Sequence, residues 1–346
     1  MILRTALLVV AMTQTVAAAQ DVKQHGDTLP DATDRELVME ACTRCHGIDL
    51  VVEQRRSPDE WIQVVSMMVG SGMALTDEKY RRIVSYLSEN LASPAPPQLI
   101  YQAPSTFNRS VLVVDHKGYR SLRFGNADDR DQSRIKPGHP EQLPMPYLRS
   151  AAVGLAVPQK LERLLVIGLG GGAFPAFIRA DFPGVYIDAV EIDPVVAKVA
   201  IEYFDVFADD KLQIHIADAV DFVREDRKPY DYIFLDAYDA DQLPDALTTR
   251  RFFNDVKANL TADGVVVANI AVKSHSKART VARKLMSFYN SCLHLRSAPS
   301  LNDVLLLSDN PLPGRSDLLT WAERSGNKDA TWQGMTDHIR AAKTCP

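Results

Sequence analysis

From Leu161 onward the chain alternates short apolar runs with helical patterns, and this alternation restricts the fold more than any other feature. Leu164-Leu165-Val166-Ile167 is apolar at every position and short, as expected of a strand buried on both faces. It runs into Gly168-Leu169-Gly170-Gly171-Gly172, after which Ala173 to Ala180 reads as a helix. Val185 to Val190 repeats the strand pattern and ends in Glu191-Ile192-Asp193, with Pro194 opening the next helix. Leu212 to Ile216, Tyr232 to Leu235 and Val265 to Ala268 continue the series. Leu293 to Leu295 and Val304 to Leu307 predict an antiparallel edge. The pattern predicts a doubly wound, Rossmann-like α/β domain over residues 151–310.

In such a sheet the ligand crevice lies at the carboxyl ends of the strands. Gly168, Gly170 and Gly172 let the backbone approach a ligand closely after the first strand. Glu191, at the end of the second, can accept hydrogen bonds from ribose hydroxyls, and Asp218, after the third, can reach an adenine amine. Together they predict an adenosine site. Two adenosine ligands compete: a nicotinamide dinucleotide, with its pyrophosphate on the first helix, and a sulfonium nucleotide.

The N-terminal region carries different chemistry. Cys42-Thr43-Arg44-Cys45-His46 has the C-x-x-C-H spacing at which two thiols add to one haem and the adjacent imidazole becomes the proximal iron ligand. A thioredoxin-like pair would follow a strand and open a helix, whereas this motif closes a helical segment, Asp34 to Arg44. A zinc site would need a second ligand pair nearby, and none follows. Ser57-Pro58-Asp59-Glu60 is a capping box that opens a helix carrying Trp61, Val64, Val65 and Met68 on one face. Thr76-Asp77 caps another, with Tyr80, Ile83, Val84, Leu87 and Leu91 at helical spacing. The expectation is an all-α haem c domain over residues 20–92, with electron transfer to a redox partner protein. The sixth iron ligand is expected to be a thioether; Met67, Met68 and Met73 are candidates, with Met68 first and Met73 as the alternative.

Arg4, the apolar stretch Ala6 to Met12 and Ala17-Ala18-Ala19 read as a cleavable export signal over residues 1–19, with an uncleaved anchor as the alternative. Export predicts a periplasmic or otherwise oxidising location, where Cys292 and Cys345 can pair. A formal net charge of −5 without a basic run argues against a nucleic-acid partner, and no span is expected once the signal is removed. Residues 93–104, opening on Ser93-Pro94-Ala95-Pro96-Pro97, are expected to be a linker. Residues 105–150 are expected to hold a β-hairpin module, with runs Ser110 to Asp115 and Tyr119 to Phe124 around His116-Lys117-Gly118. Residues 311–346 read as a tail in which Trp321 and Trp332 are packing residues.

Two resemblances add to this reading. Residues 35 to 92 resemble a small class I cytochrome c domain, through C-x-x-C-H, Trp61, Met68, Gly72 and a final helix ending in Tyr86-Leu87. Residues 99 to 310 resemble the spermidine synthase family of polyamine aminopropyltransferases. The similarity is carried by Val190-Glu191-Ile192-Asp193-Pro194, Leu235-Asp236-Ala237-Tyr238-Asp239, the hairpin module and Leu247-Thr248-Thr249-Arg250-Arg251-Phe252-Phe253. It implies S-adenosylmethionine or its decarboxylated form as donor and a small amine as acceptor. It also implies a homodimer through this domain, and Asp236 and Asp239 as the groups that orient and deprotonate the amine. The family's Tyr, His or Gln, Glu triplet, which helps hold a polyamine, stands here as Tyr147-Leu148-Arg149, and an arginine there is expected to repel a diammonium chain. The alternative is an electron carrier whose α/β domain only docks or senses a ligand.

Overall fold

The structure, a computed structural model, describes residues 29–345 except 53, 94–95, 127–128, 226–227, 239–242, 272–274, 297–301 and 325–329. The export signal expected over residues 1–19 and the expected catalytic Asp239 therefore lie outside the described residues. The chain divides into two compact units, residues 1–95 and 96–346.

The described part of the first unit is helical: α1 (Arg35–Cys42), α2 (Asp49–Val52), α3 (Pro58–Gly70) and α4 (Asp77–Asn90). The capping box forms as expected, with Ser57 Oγ accepting from Glu60 N–H at 3.3 Å and Glu60 Oε2 from Ser57 N–H at 2.7 Å. Thr76 caps α4 through Lys79 N–H. Trp61 is buried and donates its indole N–H to Leu91 O at 3.0 Å, which satisfies the ring's one polar atom inside the core. Val38, Val65, Ile83, Tyr86 and Leu87 pack around it.

The second unit opens with a four-stranded antiparallel meander: β1 (Gln98–Ser105), β2 (Arg109–His116), β3 (Tyr119–Phe124) and β4 (Asp131–Ile135). The linker expected over 93–104 is thus a strand from Gln98. The proline cluster Pro94-Ala95-Pro96-Pro97 was read too far along the chain; Pro104, inside β1, is tolerated because β1 is an edge strand, where a residue without an N–H does no harm. α5 (Pro146–Ala152) leads to the main sheet. There β5 (Arg163–Ile167), α6 (Ala173–Asp181), β6 (Tyr186–Glu191), α7 (Pro194–Tyr203), β7 (Leu212–Ile216), α8 (Ala219–Phe222) and β8 (Tyr230–Leu235) alternate. They are followed by α9 (Arg250–Ala258), β9 (Leu260–Ala271), α10 (His275–Met286), β10 (Ser291–Arg296), β11 (Asn302–Ser308), α11 (Arg315–Arg324), α12 (Ala330–Ala341) and the short β12 (Lys343–Thr344).

The described strands run in the order β12-β10-β11-β9-β8-β5-β6-β7. β5 to β9 pair in parallel and β10, β11 and β12 form the expected antiparallel edge. The doubly wound α/β fold is therefore present. Period-2 alternation sends Leu164, Val166, Tyr232 and Phe234 into one core and Leu165, Ile167, Ile233 and Leu235 into the other, on the opposite face.

The supposed tail is part of this body. Leu318, Ala322, Trp332, Met335 and Ile339 belong to the same core as β5 and α6, and the Trp332 ring lies tilted against Phe177, centroids 6.3 Å apart. Both tryptophans pack, as expected, but on helices whose apolar residues have no motif to announce them. Cys292 and Cys345 form a disulfide, with Cα atoms 5.4 Å apart, beside the β10–β12 pairing.

Candidate functional site

The carboxyl ends of β5, β6 and β8 open into a cavity of about 820 Å³. Gly168, Gly170, Glu191, Asp218 and Asp236 all line it, so the structure brings together most of the residues expected from sequence.

The glycine turn is built on left-handed backbone. Gly168, Gly170 and Gly172 have φ of 94°, 53° and 69°. At Gly168 a Cβ would also lie 2.5 Å from Asp236 O and 2.8 Å from Asp236 C. Gly168 therefore lets the turn after β5 pass against the segment carrying Asp236. Gly168→Ala is expected to push these two segments apart and lower the melting temperature by several degrees, as read by thermal denaturation. Gly172 is the N-cap of α6 and abuts Val206.

Glu191 is buried, and its carboxylate is already in use. Oε2 accepts from Leu169 N–H at 3.0 Å and Gly170 N–H at 3.3 Å, and Oε1 accepts from Asp193 N–H at 3.0 Å. Burial raises its pKa, while these backbone donors pull the other way. A carboxylate has about four lone-pair positions, so roughly one remains for a ligand hydroxyl. A second ribose bond requires the longer Gly170 contact to yield. Asp218 caps α8 through Val220 N–H at 2.8 Å and still faces the cavity.

Asp236 follows β8. Oδ2 accepts from the Tyr147 hydroxyl at 3.1 Å and Oδ1 from Asn269 Nδ2 at 2.7 Å. Burial dominates and pushes its pKa up to about 7, against the lowering effect of those two donors. Asn269 Oδ1 in turn accepts from Asn302 Nδ2 at 2.9 Å, and the Tyr238 hydroxyl bonds Asn269 O. Tyr147, its own pKa raised by burial and by Asp236, stays a neutral donor.

Arg149 behaves differently from expectation. It does not line the cavity; its Nη1 donates to Leu143 O at 2.6 Å and to Pro144 O at 3.4 Å, and it lies against Gly334 of α12. The predicted repulsion of a diammonium acceptor therefore has no basis at this position. Sequence reading missed Asn269, Asn302, Ser105 and Asn108. An Asn inside the apolar run Val265 to Ile270 is a signal, because a buried amide needs partners. Ser105 and Asn108 bond the Asp193 carboxylate, Asn108 at 2.8 Å, and so pin the β1–β2 turn over the cavity. No pattern in the sequence links those residues.

The spermine/spermidine synthase domain matches residues 151–289. A polyamine aminopropyltransferase of Vibrio vulnificus is 32% identical over 234 residues, covering 65% of this chain and 77% of that protein. The chain belongs to the spermine/spermidine synthase family. A human eEF1A lysine and N-terminal methyltransferase is 27% identical over 297 residues, 77% of this chain but 39% of that protein's length. A probable spermidine synthase from Corynebacterium glutamicum shares the fold, with TM-score 0.56, 20% identity and coverage of 67% of this chain and 88% of that one. The family match lies wholly within the second unit.

In the first unit Cys42 is buried at the end of α1, Cys45 is exposed, and both thiols are free. Burial raises the Cys42 pKa. His46 Nδ1 lies 2.9 Å from Gly47 O. A carbonyl only accepts, so Nδ1 carries a proton, and in the neutral ring the Nε2 lone pair is available to a metal. Met68 and Met73 are both half-buried, and Met73 packs against the core that contains Cys42. Among the described residues no group of three or more His, Cys, Asp or Glu side chains comes together.

Proposed function

We propose that the second unit transfers an alkyl group, aminopropyl or methyl, from an S-adenosyl sulfonium nucleotide to an amine, with Asp236 as proton acceptor. The observation that supports it best is the Asp236 carboxyl, held by Tyr147 and Asn269 on the floor of the cavity with a pKa near neutrality. A general base works best when its pKa is near the working pH. The amine nitrogen, freed of its proton by Asp236, attacks the carbon on sulfur. The C–N bond forms, the C–S bond breaks, and its electron pair leaves on a neutral thioether. Glu191 and Asp218 hold the nucleoside, and the Gly168–Gly172 turn lets it lie against the backbone.

Titration calorimetry tests this reading. S-adenosylmethionine, its decarboxylated form or methylthioadenosine is expected to bind, and NAD is not. Glu191→Gln, which keeps one acceptor for the glycine turn but removes the charge, is expected to weaken binding about 30-fold or more, because a charge-assisted hydrogen bond contributes about 1.5–3 kcal/mol. No binding by any of these nucleotides would sink the transferase reading and favour a docking or sensing role.

We further propose that the first unit carries haem c. The donor set fits: two free thiols three positions apart, and an imidazole whose Nε2 lone pair is available. Cys42 and Cys45 would hold the group covalently, His46 would be the proximal ligand, and Met73 or Met68 the distal one. Bound haem would supply one-electron transfer with a redox partner protein. The Cys292–Cys345 disulfide supports export to an oxidising compartment such as the periplasm.

A further inference from the structure

Residues beyond 289 lie outside the family match, yet they reach toward the proton acceptor. In α12 the buried Thr331 Oγ1 accepts the N–H of Leu143 at 3.1 Å. Arg149 Nη1 donates to the carbonyl of the same residue at 2.6 Å. Both backbone groups of Leu143 are thereby held, four residues before Tyr147, across a segment stiffened by Pro144 and Pro146. Arg149 is itself held against α12, since a Cβ at Gly334 would stand 2.6 Å from its Nε. The helix is anchored at its start by the Trp332 indole N–H on Asp181 Oδ2 at 3.2 Å. Beyond its end, Cys345 N–H donates to Cys292 O at 3.1 Å beside the disulfide.

We propose that α12 is a positioning element: through Thr331 and Arg149 it sets the Tyr147 hydroxyl on Asp236, and the Cys292–Cys345 disulfide keeps it seated. Thr331 and Arg149 touch no reacting atom and act through Tyr147. This role rests on Asp236 as the proton acceptor named above, but its test needs no turnover, so failure of the transferase reading would show separately.

The test follows the Asp236 carboxyl by ¹³C NMR across pH in the full chain, assigned by its loss in Asp236→Asn. The side chains facing that carboxyl are Tyr147 from α5, Tyr232 from β8 and Asn269 from β9, with Tyr238 after β8 next to Tyr147. These are neutral phenols and an amide, and Tyr147 donates to the ionised form and holds the midpoint down. Thr331→Val is expected to raise the midpoint by about half a pH unit, toward the value in Tyr147→Phe. Gly334→Ala, which forces Arg149 aside, is expected to shift it the same way, and Thr331→Ser to restore it. In a Tyr147→Phe background Thr331→Val should add nothing. A shift of equal size in that background, or a Thr331→Val variant and a Gly334→Ala variant that melt earlier with the titration unchanged, would overturn the proposal. Reduction of the disulfide should raise the midpoint in the same direction; an unchanged midpoint would remove the disulfide from it.

Discussion

Asp236→Asn is expected to lower the transfer rate by about 10²–10⁴-fold while leaving nucleotide affinity within a few-fold of the parent. The substitution keeps the shape and most hydrogen bonds of the site. The oxygen of the new amide can still accept from Asn269, and its nitrogen can donate to the Tyr147 oxygen, although the Tyr147 hydroxyl proton then loses the carboxylate it donated to. What disappears is the ability to take a proton. The parent rate is expected to rise with pH through about 7, as the carboxyl ionises, and the variant's profile to lose that limb. Stability should move the other way. A carboxyl whose folded pKa, about 7, lies above its unfolded value of 3.8 binds more protons when folded, so the protein loses stability as pH rises through that window. At pH 8 and above most of the buried charge is present, and replacing it with an amide is expected to add about 1–3 kcal/mol of stability. Thermal melts at pH 5 and pH 8 check this: the variant's advantage should be larger at pH 8. A variant with parental rate, or one less stable at pH 8, would remove Asp236 from the proton-transfer role.

The opposing effects follow from one physical fact. A base near neutral pH requires a carboxyl held away from water, and the rest of the domain offsets the cost of burying it. That cost falls on the sheet end, where Gly168 permits the close approach of the β5 and β8 segments and Asn269 carries the bond onward to Asn302.

How far this was legible in sequence depends on how local each signal is. Strand periodicity, the glycine turn and the acidic residues at strand ends are local, and β5 to β8 with Gly168, Glu191 and Asp218 came directly from them, whereas the role of Asp236 came from the family resemblance. The capping box at Ser57 and the cap at Thr76 were local as well. β1 was hidden by the proline cluster before it, Pro94 to Pro97, which read as a linker running on to residue 104. The Asn108–Asp193 and Thr331–Leu143 bonds join residues 85 and 188 positions apart, and no spacing rule reaches that far. Arg149 shows the converse error. Its place in a family triplet suggested a charge in the acceptor site, but the local turn of α5 aims it at the Leu143 carbonyl instead.

The second large effect concerns the first unit. The full chain, exported by a host that attaches haem c, is expected to carry one haem that stays with the polypeptide on a denaturing gel. Cys42→Ser combined with Cys45→Ser should abolish that covalent signal completely. Haem would have apolar surface to cover: Leu50, Ile62, Met67 and Val69 leave 52%, 42%, 65% and 38% of their surface exposed in a unit whose core is small. Covering apolar area contributes about 25 cal/mol per Å², so haem loading should raise the unit's melting temperature as well as colour it. His46→Ala should lose the proximal ligand while keeping the thioether bonds, which separates attachment from ligation. Between the two methionines, Met73 already packs on the core around Cys42, so Met73→Ala is expected to lower the reduction potential and Met68→Ala to change it little. Reversal of those two results would move the distal ligand to Met68. A chain that emerges without covalent haem from a host that loads other c-type cytochromes would leave Cys42 and Cys45 as a plain dithiol and sink the haem reading.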